Sequence, residues 1–183
     1  MSDDAARPTE GAHPFPSDAA IHHYGDRLGD VDMVPLVAMR KLLTVSHLVM
    51  LDLERVAQRL GHSFADLHLL GTLGVDRGRA ISATDLASIL YVSTAALSSR
   101  IKRLEKDGLL VRRRNAADHR SIDLFLTAKG EGLVDQCIRG LASTARIAQL
   151  FGEMEPGNLR QFAAVLRDIH RVLKRDFVGA APR

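Results

Sequence analysis

Tryptophan is absent from this 183-residue chain, and only two Tyr and six Phe are present. So sparse an aromatic set argues against stacking platforms for single-stranded nucleic acid. Cysteine occurs once, at Cys137, which excludes an internal disulfide framework and suits a reducing compartment. The opening MSDDAARPTE is acidic and lacks an apolar core, so no signal peptide is expected. No apolar run approaches the roughly 18 residues of a membrane span. The longest helical stretches are interrupted by Arg40, Lys41, Asp52 and Glu54, and a soluble, cytoplasmic protein is expected. There is no Gly-rich phosphate loop, no G-x-S-x-G elbow and no paired-carboxylate motif; neither an enzyme nor a cofactor is expected. His22, His23, His47, His62, His68 and His119 show no zinc-ligand spacing, so no metal is expected. A lone Cys on a helical apolar stripe is read as packing rather than as an oxidant sensor.

What the chain does have is charge in one place. Residues 79–120 carry nine Lys or Arg against four acids, a net of +5, while the whole chain is only +3. A basic patch on a slightly acidic body points to a polyanionic partner for that region alone.

The same region has a readable order. Leu97, Ile101 and Leu104 recur at helical spacing and form a buried stripe. Ala95, Ser99, Lys102, Arg103 and Lys106 then face outward. Small residues permit close approach, hydroxyls reach phosphates or base edges, and cations neutralise phosphate charge, as a helix in a DNA groove requires. Ser93 is a good N-cap for this helix, and Asp107-Gly108 ends it. A shorter helix, TDLASIL, precedes it, capped by Ser82 or Thr84, with Tyr91-Val92 as the turn. Strands are expected over 109–114 and 121–126, with NAADHR as the tip between them.

Elsewhere, Pro8, Gly11, Pro14 and Pro16 mark a disordered tail, and a short helix is possible over 17–28 with Ser17 as its cap. A long helix is expected from Asp32 to Leu60, capped by Asp32, tolerating Pro35 and ended by Gly61. Its apolar positions exceed one stripe, which requires two partners, one of them a second subunit. Ser63-x-x-Asp66 begins a helix to about Val75, and DRGRA is the loop after it. Thr127 caps a helix to about Phe151, and a last helix spans Leu159 to Phe177.

Leu86-Ala87, Val92-Ser93, Arg103-Leu104-Glu105, Gly108-Leu109, Asp118-x-Arg120 and Leu126-Thr127-x-x-Gly130 together resemble the MarR family of bacterial transcription regulators. The detail of the match runs from about Arg40 to Val134. The resemblance implies a mainly α fold with a small β-hairpin wing: a winged helix-turn-helix domain plus a helical dimerisation region. The expected division is a tail with a possible short helix over 1–30, a dimerisation helix over 31–62 and the DNA-binding domain over 63–127. C-terminal dimerisation helices follow over 128–178, and a tail over 179–183. By the resemblance, Ser93, Thr94, Ala95, Ser98, Ser99, Lys102 and Arg103 meet the major groove or its phosphates, and Arg120, oriented by Asp118, enters the minor groove. Lys106, Arg113 and Arg114 join this DNA-binding set, alternation along the strand sending Arg113 to the face opposite its neighbours. The partners implied are a pseudo-palindromic double-stranded operator, a second copy of the chain and a small effector, with no membrane.

The Val-Ser-x-x-Ala-x-Ser-x-Arg-Ile-x-Arg-Leu-Glu form is closest to the urate-responsive, PecS-like branch. That branch holds its ligand with a Trp, a carboxylate and two arginines, and this chain has no Trp. Arg100 lies on the flank of the buried stripe and needs an acid or an anionic ligand. Asp66 or Glu105 is its expected ion-pair partner, and Asp66, Arg100 and Arg112 form the candidate ligand set. The functional reading is a homodimeric repressor released by a small anionic or aromatic ligand. The alternatives are a DNA-architectural protein without a ligand, and a regulator that senses oxidant or metal.

Overall fold

The computed structural model describes residues 24, 27–75, 81–115 and 122–177. The elements are α1 (Met33–Arg59), α2 (Phe64–Val75), β1 (Ile81–Ser82), α3 (Ala83–Leu90), α4 (Thr94–Lys106), β2 (Leu110–Arg114), β3 (Ile122–Leu126), α5 (Ala128–Thr144), α6 (Arg146–Glu153) and α7 (Pro156–Phe177). The fold is mainly α with a small antiparallel sheet, as a winged helix-turn-helix with further helices requires. The expected short helix over 17–28, the loop DRGRA and most of the NAADHR tip lie outside the described residues.

The chain forms two compact units, residues 1–49 and residues 50–183. In the first, Asp32 begins α1 as expected: its Oδ1 accepts the Val34 amide at 3.0 Å. Val34, Met39, Leu43 and Leu48 stand exposed along the helix, the apolar surplus that the sequence displays. Helix α1 is long and apolar enough, by length and composition alone, to cross a membrane. The charges of Arg40 and Lys41 therefore interrupt its apolar character less than the sequence reading holds. A helix covered by a partner passes the same test.

In the second unit the core gathers Leu69, Leu70, Leu86, Leu97, Ile101, Leu104, Leu109 and Leu110, all essentially without exposure. Each such side chain contributes about 1.5–3 kcal/mol by leaving water. Two carboxylates from the end of α1 serve other helices. Glu54 Oε2 accepts the Phe64 amide at 2.8 Å at the start of α2, and Asp52 Oδ2 accepts the Ile147 amide at 3.0 Å at the start of α6. These bonds satisfy amide groups that a helix start leaves without an intrahelical partner.

The helix expected from Thr127 to about Phe151 is broken. Ala145 is extended (φ −70°, ψ 126°) and fully buried, separating α5 from α6. No Gly or Pro announces this break; the Asp52 cap on α6 stabilises it from outside the local sequence. Helix α7 opens at Pro156 rather than Leu159, with Pro in the first helical position where its missing N–H costs nothing. Glu155 accepts the Asn158 amide at 3.0 Å, and backbone bonds from Gly157 and Asn158 hold its carboxyl below the usual range.

The three-stranded sheet has order β1-β3-β2, so the hairpin gains a short third strand that the sequence reading does not include. Ile81 pairs with Leu124 and Ser82 with Asp123, which anchors the hairpin to the residue that caps α3.

Candidate nucleic-acid interface

Helices α3 and α4 are each started by a serine. Ser82 Oγ accepts the Asp85 amide at 3.1 Å, and Ser93 Oγ accepts the Ala96 amide at 3.2 Å. Of the two caps considered for α3, the structure uses Ser82. Between the helices Tyr91 is left-handed, at φ 55°, a conformation that a bulky residue rarely holds without support. Its amide donates to the last carbonyls of α3, and its hydroxyl stands 2.9 Å from His170 Nε2 on α7. The turn between the helices is thereby tied to the C-terminal helix.

Leu97, Ile101 and Leu104 lock α4 into the core, so its opposite face is exposed. Thr94, Ala95, Ser98, Ser99, Lys102, Arg103 and Lys106 are all exposed, together with Ser93 at the cap. Ser98 and Ser99 donate to the carbonyls of Thr94 and Ala96, at 2.8 and 3.0 Å, leaving their hydroxyl oxygens free to accept. The face is small, hydroxylated and cationic.

The ion pairs differ from expectation. Asp66 is paired with Arg103, not Arg100: Arg103 Nη2 lies 2.5 and 2.6 Å from its two oxygens. Glu105 is paired with Arg112, at 3.0 Å from its Nε, and again not with Arg100. Arg100 and Arg103 lie on neighbouring flanks of one helix but differ by about 4.5 Å along its axis. That axial offset, invisible in one-dimensional periodicity, selects Arg103. Arg100 is half-buried and makes no ion pair with a described residue. Asp66 is itself buried, and Ser63 Oγ donates to it at 2.7 Å.

On β2, Arg113 lies over the Phe125 ring, 5.3 Å from its centroid, while Arg112 turns to Glu105 of α4; the strand alternates as expected. Arg114 is exposed. Asp118 and Arg120 lie outside the described residues. Asp123, buried on β3, accepts from Asn115 Nδ2 at 2.9 Å.

The sequence reading missed the joint that closes this region. Gly108, at φ 71°, ends α4; Thr127 Oγ1 donates to its carbonyl at 2.7 Å, and Lys129 Nζ donates to the Asp107 carbonyl at 2.8 Å. A cation thus sits at the negative end of the α4 dipole. Gly130 is required there: a Cβ would lie 2.0 Å from the Leu109 carbonyl oxygen. The Leu-Thr-x-x-Gly motif signals the glycine, but nothing local signals Lys129. Among the described residues no group of three His, Cys, Asp or Glu is placed to hold a metal ion.

A family model described as the MarR family matches residues 60–121. The chain is 31% identical over 143 residues to the HTH-type transcriptional regulator PecS of Dickeya dadantii (strain 3937), covering 76% of this chain and 86% of that protein. Two solved structures share the fold. The transcriptional repressor CouR, bound to a 23-mer DNA duplex, has a TM-score of 0.65 at 23% identity over 76% of this chain and 97% of that one. The MepR–DNA complex of S. aureus has a TM-score of 0.64 at 19% identity, over 77% and 97%.

Proposed function

Because the chain belongs to the MarR family of winged helix-turn-helix DNA-binding transcription regulators, we propose that it is a homodimeric, sequence-specific repressor released by a small effector. The observation that carries this reading is α4 itself. Its inner face is sealed by Leu97, Ile101 and Leu104, and its outer face offers only small, hydroxylated and cationic side chains.

In this reading Ser93, Thr94, Ala95, Ser98, Ser99, Lys102, Arg103 and Lys106 meet the major groove and its phosphates. Arg113 and Arg114 follow the backbone, and Arg120, oriented by Asp118, enters the minor groove. The exposed apolar positions of α1 and of α7 are what a second copy of the chain would bury, in a cytoplasmic dimer rather than a membrane-bound chain. Repression follows from occupancy of a pseudo-palindrome, whose half-sites two linked recognition helices must meet in register. The reading includes no catalysis and no cofactor. The 31% identity to PecS supports the PecS-like branch, and an anionic aromatic effector would engage Arg100 and Arg112, drawing Arg112 from Glu105.

Selection of bound duplexes from a random DNA library, followed by anisotropy titrations, tests the reading. A recovered palindrome bound at least about a thousandfold tighter than random duplex supports it. A ratio near one favours an architectural protein instead. Arg120→Ala should weaken binding most at A·T-rich flanks, and Arg100→Ala should keep operator binding while losing the response to an anionic effector.

A further inference from the structure

The C-terminal end of α4 is closed by the start of α5. Lys129 Nζ donates to the Asp107 carbonyl at 2.8 Å, Thr127 Oγ1 to the Gly108 carbonyl at 2.7 Å, and the Thr127 amide to the Leu109 carbonyl at 3.2 Å. Three successive carbonyls, at the C-cap of α4 and just after it, thus accept from residues 127–129. The Asp107 carbonyl is one of those that a helix end leaves without an intrahelical partner. Thr127 Oγ1 also accepts the Gly130 amide at 3.1 Å, so one hydroxyl both caps α5 and holds the end of α4.

Two of these donors belong to the cap itself, and Lys129 does not. It is the second residue of α5, where the positive end of that helix's dipole disfavours a cation and favours a carboxylate such as Glu131. On α5 alone, Lys129 breaks the local preference. Its side chain is exposed and takes no part in the core. Among the described residues it makes no ion pair, and its ammonium goes instead to a backbone carbonyl of α4. A local preference broken in this way points to a role outside the residue's own helix. Lys102, Arg103 and Lys106, the cations of the outer face of α4, lie within about a turn and a half of that carbonyl.

We propose that Lys129 is a positioning residue that determines specificity. Without touching DNA, it holds the end of α4 at the inclination at which Lys102, Arg103 and Lys106 meet base edges and phosphates in register. The proposal rests on the DNA-binding reading. Non-specific binding follows from charge and tolerates many orientations of the helix, whereas operator binding requires one. Loss of the Lys129 bond therefore separates the two.

The test titrates full-length wild type, Lys129→Met and Lys129→Arg against the operator recovered from the duplex library and against a random duplex of equal length, over a range of salt. Methionine keeps most of the stem and removes donor and charge; arginine keeps both. Lys129→Met should bind the operator about tenfold weaker and the random duplex within about twofold of wild type. Its dependence of log Kobs on log salt should keep the wild-type slope, and Lys129→Arg should recover operator affinity. The melting profile of Lys129→Met should match wild type, because loss of the bond is offset by removal of a cation from the start of α5. Amide hydrogen exchange in the free variant should quicken at the end of α4 and not in α3. A slope shallower by about one, with operator and random duplex weakened alike, would make Lys129 an ordinary phosphate contact and overturn the proposal. Unchanged operator affinity overturns it too, as does a loss that arginine does not restore or that a lower melting temperature accompanies. A wild type with no preference for any duplex refutes the DNA-binding reading, and this proposal with it, before any variant is compared.

Discussion

Arg103 holds Asp66 through one nitrogen, Nη2, while the rest of its guanidinium stays on the exposed face of α4. The Asp66 side chain is only 4% exposed, and that of Arg103 is 56% exposed. An arginine paired with α2 is therefore also on the face proposed for DNA. The pair ties α4 to α2 while leaving Nη1 and Nε outside these two bonds.

Because the two ends of this pair differ in burial, their removal should not be symmetric. Arg103→Ala leaves a buried carboxylate with Ser63 as its remaining side-chain partner and should cost about 1–3 kcal/mol in urea unfolding. Asp66→Ala frees an arginine that water can reach and should cost less. The double variant should cost clearly less than the sum, with a coupling of about 1 kcal/mol, modest because Arg103 is half in solvent. Strict additivity would show that the pair does not tie α4 to α2.

Gly130 tests the joint beneath α4. A methyl group there collides with the Leu109 carbonyl, a backbone atom that cannot rotate away. Gly130→Ala should lower stability by about 2 kcal/mol or more, against the usual gain of up to about 1 kcal/mol for Gly→Ala in a helix. A melting temperature equal to or above wild type would contradict the close approach.

Cys137 gives a pH dependence of known sign. Burial raises its pKa above the ordinary 9.0, so the folded state disfavours the thiolate. The contribution is complete below the unfolded value and is lost as pH rises through it toward the folded value. Wild type should therefore lose stability faster than Cys137→Ala from about pH 8 to pH 10, and the native thiol should react slowly with alkylating reagents. Parallel stability profiles for the two proteins would dismiss the effect.

The exposed stripe on α7 predicts the state of assembly. Phe162, Val165, Leu166, Ile169, Val172 and Leu173 recur at helical spacing with 37–51% exposure. Leu166→Glu/Ile169→Glu should halve the sedimenting mass and reduce operator affinity by at least about tenfold, since linked half-sites no longer reinforce each other. An unchanged dimer would move the interface elsewhere.

Much of the unit proposed to face DNA is legible in the chain because its signals are local. The Leu97, Ile101, Leu104 stripe, the caps Ser82, Ser93 and Thr127, and the left-handed Gly108 each act within one turn of the backbone. The remainder depends on residues distant in sequence. Asp52 caps α6 across 95 residues, Asp66 reaches Arg103 across 37, and Lys129 reaches back 22 to the Asp107 carbonyl. The break at Ala145 belongs to the same class, since its stabilising partner is on α1.

Sequence by itself determined the order of the helices up to α5 and the buried stripe and polar face of α4, because hydrophobic period and capping are short-range physics. Only the tertiary structure decided which arginine meets Asp66, where α5 ends, and that Lys129 closes the end of α4. Those outcomes depend on axial offset and packing between distant segments, which a one-dimensional pattern of polarity does not encode.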